Sequence, residues 1–311
     1  MEAKRAIANQ IAGEHELMKK VVAGGSNSVQ LASSIAKKLG VQFTPLKVLK
    51  FPDKSLYVRF LVPVKNAEVI LVQSMHAHAS QALVEILFAC YTARRLGAKK
   101  VTLVCPYLAF MRQDKEFRPG ECISAQVMAK LISSCCDKLV TIDAHLHRIH
   151  DLQDIFGIPT QHLTSNNLIA EYAHKHWKNA VIIGPDGESN QWAEAIAQKL
   201  HSSVTVLKKK RYSSETVRIK LKTTLDLRGK TVILVDDIIS TGHTLLEPIK
   251  QIKQHKPKKI ICIGVHGILA ENALEKLQKT GAEVVTTNTI TNPVAKIDVS
   301  ELLAAELRVL Q

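Results

Sequence analysis

The chain has 311 residues, 46% of them hydrophobic, and its 42 Lys and Arg against 28 Asp and Glu give a formal net charge of +14. That length suffices for two domains of about 150 residues, each with its own core. No run approaches the roughly 18 apolar residues of a membrane span, and residues 1–16 alternate charged and small side chains without an apolar signal region, so a soluble cytoplasmic protein is expected. Cys90, Cys105, Cys122, Cys135, Cys136 and Cys262 show no Cys-x-x-Cys spacing, and several sit inside apolar runs; they read as reduced structural thiols. The positive field attracts anions in general. With no zinc-finger spacing, ribonucleoprotein motif or reading helix, nucleic acid is not an expected partner, and the paired lysines mostly flank strands or end helices.

In chain order, short β-branched runs alternate with helical patterns, which predicts a doubly wound α/β protein with mainly parallel sheets. A strand is expected at 21–23, then a helix capped by Ser28 and running to Leu39, with Leu31, Ile35 and Leu39 on one face. Strand 69–73, helix 81–96, strand 101–105, helix 123–135 and strand 139–142 follow. The second half repeats the scheme with strand 180–183, helix 190–200, strand 204–207, strand 232–235 with its helix, strand 260–265, helix 272–278, strand 283–287 and a closing helix 299–307. A weak internal repeat supports two like domains: residues 69–72 (Val-Ile-Leu-Val) match 232–235 (Val-Ile-Leu-Val), and 99–104 match 258–263. Only the second copy has acidic residues after its strand; the first has Gln73 and Ser74.

The run from Thr231 to Thr244, Thr-Val-Ile-Leu-Val-Asp-Asp-Ile-Ile-Ser-Thr-Gly-His-Thr, carries the most chemistry. Asp236 and Asp237 follow a buried strand at the end where ligands of open α/β sheets collect. Two adjacent carboxylates repel each other there unless they meet cations or hydroxyls, such as those of a ribose or its Mg²⁺. Ser240, Thr241, Gly242, His243 and Thr244 then open a helix, whose free N–H groups and dipole favour a phosphate. An ordinary capped helix explains the threonines but not the acidic pair beside them.

This segment resembles the phosphoribosyl-pyrophosphate (PRPP) motif shared by type I phosphoribosyltransferases and ribose-phosphate pyrophosphokinases. Other segments resemble the latter alone, from about Lys19 to the C-terminus: Pro106-Tyr-Leu-Ala-Phe-Met-Arg-Gln-Asp-Lys115 its nucleotide loop, Thr141-Ile-Asp-Ala-His145 its metal-histidine turn, Gly184-Pro-Asp-Gly-Glu188 its ribose loop, and Lys209-Lys210-Arg211 its catalytic loop. The resemblance implies two phosphoribosyltransferase-like domains, residues 17–160 and 161–311 after an extension of 1–16, with the active site between them. It implies Mg²⁺-dependent transfer of diphosphate from ATP to the C1 hydroxyl of ribose 5-phosphate, giving PRPP and AMP, in a homodimer or higher homo-oligomer. Lys209 and Arg211 become the catalytic cations. Arg112, Gln113, Asp114, Phe51, Asp53 and His145 become nucleotide contacts, and Asp186 with residues 236–237 and 240–244 the ribose 5-phosphate site. His145 and Asp186 are the implied Mg²⁺ or ATP contacts. His147 and His150 beside His145 hint at a transition-metal cluster, but no matched Asp or Cys completes a tetrahedral set.

Three positions depart from the family pattern. Phe51-Pro-Asp-Lys-Ser55 stands where Phe-x-Asp-Gly-Glu is usual, which bears on nucleotide selectivity. His243 replaces a usual Gly and would cost about 1 to 2 kcal/mol if the position is left-handed. Ser240 replaces an Asp common in the family. Beside an active pyrophosphokinase, these departures leave a catalytically weak homologue that regulates one, and the shared cradle alone leaves a PRPP-consuming phosphoribosyltransferase.

Overall fold

The computed structural model describes residues 19–185, 190–200, 204–206, 208–211, 217–220 and 226–309. The first sheet is built from β1 (Lys20–Gly24), β2 (Gln42–Pro45), β5 (Glu68–Val72), β6 (Lys100–Val104), β7 (Lys138–Ile142) and β8 (Thr160–Leu163), all parallel, in the order β2-β1-β5-β6-β7-β8. The second contains β9 (Val181–Gly184), β10 (Val204–Val206), β13 (Thr231–Ile239), β14 (Lys259–Gly267), β15 (Glu283–Thr287) and β16 (Ala295–Ile297), again all parallel, in the order β10-β9-β13-β14-β15-β16. Two antiparallel hairpins stand apart: β3 (Lys47–Lys50) with β4 (Leu56–Arg59), and β11 (Lys208–Arg211) with β12 (Val217–Lys220).

Strand for strand, the two sheets have the same order, and the repeat read from the sequence falls on equivalent strands. Val72 pairs with Val104 as Val235 pairs with Ile263. Gln73 and Ser74 therefore occupy the places of Asp236 and Asp237, and Tyr107 that of His266.

Side chains of each strand alternate between faces, which distributes them over three cores. Val69 and Leu71 pack under α2 (Ala79–Arg95) and α3 (Ser124–Ser133) in the first domain. Val232 and Leu234 pack under α6 (His243–Gln254) and α7 (Ala273–Lys279) in the second. The opposite faces, with Ile70, Val72, Ile233 and Val235, share one central core with helices α1 (Val29–Leu39), α4 (Asn166–His176), α5 (Asn190–Lys199) and α8 (Ser300–Val309). Strands covered on both faces need continuous apolar runs, as found here.

Helix α1 ends as its sequence dictates: Gly40 is left-handed (φ 68) and its N–H reaches the Ala36 and Lys37 carbonyls. Its start differs from expectation. Ser28 precedes the helix but makes no side-chain cap; its Oγ accepts instead from the Ser74 N–H at 2.9 Å, because the buried end of β5 needs an acceptor. Helix α8, last in the described sequence, packs on α1 of the first domain, where Lys20 Nζ donates to the Leu307 carbonyl at 3.2 Å and Arg308 to the Lys38 carbonyl at 2.8 Å. Five cysteines are buried as expected, whereas Cys122 is exposed in the loop before α3.

Candidate functional site

The C-terminal edges of the two sheets face each other, and the acidic pair lies where they meet. Strand β13 runs on past the expected end at Val235 to Ile239, carrying Asp236 and Asp237 inside it, 8% and 6% exposed. Asp237 Oδ2 lies 2.6 Å from Nδ1 of His145, which comes from the turn after β7 of the other domain. Burial alone would raise the Asp237 carboxyl pKa. The His145 hydrogen bond, the charges of His145 and His266 and the Ile238 N–H at 2.7 Å outweigh it and hold the pKa below the usual value. Asp237 is thus a carboxylate, and His145 Nδ1–H donates to it.

Tyr107, three residues past β6, meets the ring of His266 with centroids 5.0 Å apart. Burial raises its phenol pKa, with Arg112 acting downward and Asp237 upward, so both charges lie within electrostatic range of its ring. Asp114 takes a two-pronged contact from Arg148, 2.8 and 3.2 Å, and Arg148 is three residues past His145. Gln113 donates to the Lys115 carbonyl and to Glu121, turning the loop back on itself. The loop of Arg112, Gln113 and Asp114 is therefore tied directly to the turn of His145. Arg148 was missed from the sequence, and Tyr107 was read there only as part of the Pro106 to Lys115 segment, with no role of its own.

Helix α6 starts at His243 with Gly242 as its cap in the left-handed region (φ 77), and no side chain caps its first turn. The position that requires a left-handed backbone is Gly242, so His243 carries none of the strain its replacement of a glycine suggested. Ser240 and Thr241 are half-buried in the turn, whereas His243 and Thr244 are exposed.

Phe51 and Asp53 sit in the turn of the β3–β4 hairpin, which packs on α2. Phe51 is 50% exposed and meets the Tyr57 ring edge-on at 5.9 Å. Asp53 Oδ1 accepts from the Ser55 hydroxyl (2.7 Å) and N–H (3.0 Å), and that hydroxyl leads in holding its pKa below the ordinary value. Lys54 is left-handed, φ 70, so the turn keeps the backbone of a glycine although the side chain is lysine, at a cost of about 1 to 2 kcal/mol. Lys209 and Arg211 lie on β11, opposite Ile219 and Val217 of β12, so the expected loop contains a hairpin. Asp186 lies outside the described residues. His76 enters α2 with its ring Nδ1 buried and without a partner among the described residues, and burial lowers its pKa. No three His, Cys, Asp or Glu side chains gather as a metal cage among the described residues, the histidines from 145 to 150 included.

Comparison with known proteins agrees with this arrangement. Residues 20–135 match the family described as the N-terminal domain of ribose phosphate pyrophosphokinase, and residues 158–302 match the phosphoribosyl transferase domain. A curated ribose-phosphate pyrophosphokinase of Methanopyrus kandleri is 31% identical over 91% of this chain and 97% of its own length. The chain belongs to the ribose-phosphate pyrophosphokinase family. The pyrophosphokinase of Pyrococcus furiosus is 33% identical over 88% of this chain and 96% of its own. The crystal structure of phosphoribosylpyrophosphate synthetase from Mycobacterium smegmatis superposes with a TM-score of 0.82 at 29% identity, covering 94% of this chain and 98% of that one. Ribose-phosphate pyrophosphokinase architecture thus extends over both sheets. No described helix is long and apolar enough to cross a membrane.

Proposed function

We propose that the chain transfers the β,γ-diphosphoryl group of ATP to the C1 hydroxyl of ribose 5-phosphate. The C1 oxygen bonds to the β-phosphorus, the bond from that phosphorus to the α,β-bridging oxygen breaks, and the hydroxyl proton is lost, giving PRPP and AMP. The observation that carries this reading is the 2.6 Å contact of His145 with Asp237, which joins a nucleotide loop of one domain to a sugar cradle of the other.

In this reading Asp236 and Asp237 accept from ribose hydroxyls. The 5-phosphate meets the uncapped start of α6, where Gly242 lets the backbone approach and Ser240, Thr241 and Thr244 supply hydroxyls. Arg112, Gln113 and Asp114, braced by Arg148, hold ATP, and Phe51 offers an exposed ring for the base. Lys209 and Arg211 neutralise the transferring diphosphoryl group, Arg211 as a fork and Lys209 as a point charge. In such transfers the protein mostly positions reactants and offsets charge. A Mg²⁺ shared between one or two carboxylates and substrate phosphates needs no all-protein cage. Asp236, Asp237 and Asp186 supply the oxygen donors such an ion prefers; His145, with one nitrogen given to Asp237, is better read as a partner of that carboxylate and of phosphate. The ion would supply neutralisation of phosphate charge. A homo-oligomer is proposed on family likeness alone.

The test is PRPP and AMP production by the purified chain with Mg²⁺, ribose 5-phosphate and ATP, with dATP, GTP and CTP in parallel. Turnover with ATP, falling by orders of magnitude in Lys209→Ala while ribose 5-phosphate affinity holds, is the expected result. Turnover with another nucleotide alone would assign a changed base preference to the turn of Asp53, Lys54 and Ser55. No AMP from any nucleotide would favour a regulatory homologue, the alternative that Lys54 and Ser55 support.

A further inference from the structure

Tyr107 and His266 occupy equivalent places in the two sheets, and their rings meet with centroids 5.0 Å apart. The contacts around them repeat with local two-fold character. Ser74, after β5, donates its hydroxyl to the Thr289 carbonyl beyond β15 at 2.5 Å; Asp237, its counterpart, meets His145 beyond β7. His266 departs from this symmetry by acting as a polar bridge.

The His266 ring is 1% exposed. Its Nε2 lies 3.1 Å from the Ile142 carbonyl and 3.2 Å from the Asp143 carbonyl, and carbonyls only accept, so Nε2 carries the hydrogen. Nδ1 lies 2.9 Å from the Thr289 hydroxyl. Ile142 ends β7, and Asp143 opens the turn that presents His145 two residues later. Asp143 is itself left-handed (φ 37), an uncommon backbone for a residue with a Cβ, which persists only where surroundings enforce it. One restraint is its carboxylate, which accepts from the Ser165 N–H (2.8 Å) and hydroxyl (2.6 Å). Others are the Asp143 N–H to the Leu163 carbonyl (2.9 Å), the Ala144 N–H to His162 Nε2 (2.9 Å) and, on the carbonyl side of Asp143, the His266 ring.

We propose that His266 is a positioning residue for diphosphoryl transfer: through Nε2–H it fixes the turn after β7 so that His145 stays seated on Asp237. The proposal rests on the reading that His145 and Asp237 serve the reaction. His266 itself touches neither substrate. The phosphate turn of the sugar cradle, Ser240 to Thr244, lies apart from the His266 contacts with Ile142, Asp143 and Thr289.

The test compares His266→Phe, which keeps a ring but no donor, with His266→Gln, whose amide can still donate to the carbonyls. In His266→Phe kcat falls roughly 10- to 100-fold, the scale of a misplaced catalytic group, while the Kd for ribose 5-phosphate without nucleotide changes much less than kcat, since Asp236 and the phosphate turn at Ser240 to Thr244 stay in place even where Asp237 loses His145. His266→Gln recovers most of the loss. Amide hydrogen exchange across residues 143–148 accelerates in His266→Phe but not in His266→Gln. In a His145→Ala background the Phe substitution costs less than about three-fold more, because residues acting through one another are non-additive. Ribose 5-phosphate affinity falling in step with kcat, additive losses, or unchanged exchange in His266→Phe would each overturn the proposal. If the unaltered chain makes no PRPP from any nucleotide, the functional reading fails, and the exchange comparison still decides whether His266 holds the turn.

Discussion

At the scale of single residues, the molecule places several polar groups where burial governs them. Glu85 on α2 is 1% exposed and accepts from the Ser26 N–H at 2.8 Å and hydroxyl at 2.6 Å. Burial raises its pKa, with the two Ser26 hydrogen bonds acting in the opposite direction. An acid with a raised folded pKa binds its proton more tightly folded than unfolded, so stability falls as pH climbs from the unfolded value through the folded one. Glu85→Gln removes that dependence: the variant is expected to melt higher than the unaltered chain at pH 8 and to lose the difference near pH 4, as thermal unfolding at both values would show. Which side chains meet the Asp pair was only partly legible in the sequence. The acidic pair and His145 stood at strand ends, where an open sheet collects ligands. Their pairing spans 92 residues, and the His266 contact to Ile142 spans 124, separations that no local pattern encodes. Nothing in the sequence singled out Arg148 or Glu85, whose partners Asp114 and Ser26 lie 34 and 59 residues away.

At the scale of elements, long apolar strands and amphipathic helices were legible because period and burial agree. β2, the β3–β4 hairpin, β8, β16 and α4 were not. β3 (Lys-Val-Leu-Lys) and β8 (Thr-Gln-His-Leu) are short and mostly half-buried or exposed, so their sequences lack the contrast that marks a strand, and β16 has only three residues. α4 buries only Ile169, Ala170 and Ala173, too few apolar positions to define a stripe. β13 runs longer than expected because its two acidic residues stay in the strand through neighbouring backbone and His145 contacts. The turn into α6 tests how much one backbone conformation matters. A Cβ on Gly242 would sit 3.4 Å from Leu277 and 3.5 Å from Ala273, ordinary contact distances, so space is available. The cost of Gly242→Ala is conformational, about 1 to 2 kcal/mol for a left-handed residue. Urea unfolding is expected to show that loss, and calorimetry a weaker grip on ribose 5-phosphate as the turn shifts.

At the scale of the whole molecule, both domains contribute to the one central core. Leu303 and Leu307 of α8 pack into it with Leu31 and Ile35 of α1, and the Lys38–Glu301 pair at 3.2 Å and the Lys138–Glu306 pair at 3.1 Å lie at its margin. Leu307→Ala is expected to cost about 2 to 5 kcal/mol, as buried leucine truncations do. Calorimetric unfolding should remain a single transition at lower temperature, since the lost contacts belong to both domains. The duplicated sheets are nevertheless unequal at their edges. In the first domain Gln73 accepts from the Asn27 N–H at 3.0 Å, the space beside Gly25 is filled by the Gln73 amide, and Ser74 is committed to Thr289. Neutral side chains thus fill the places that Asp236 and Asp237 hold in the second domain. If the acidic pair holds the sugar as proposed, a saturating titration with ribose 5-phosphate is expected to count chains rather than domains: two-fold architecture with a single binding site.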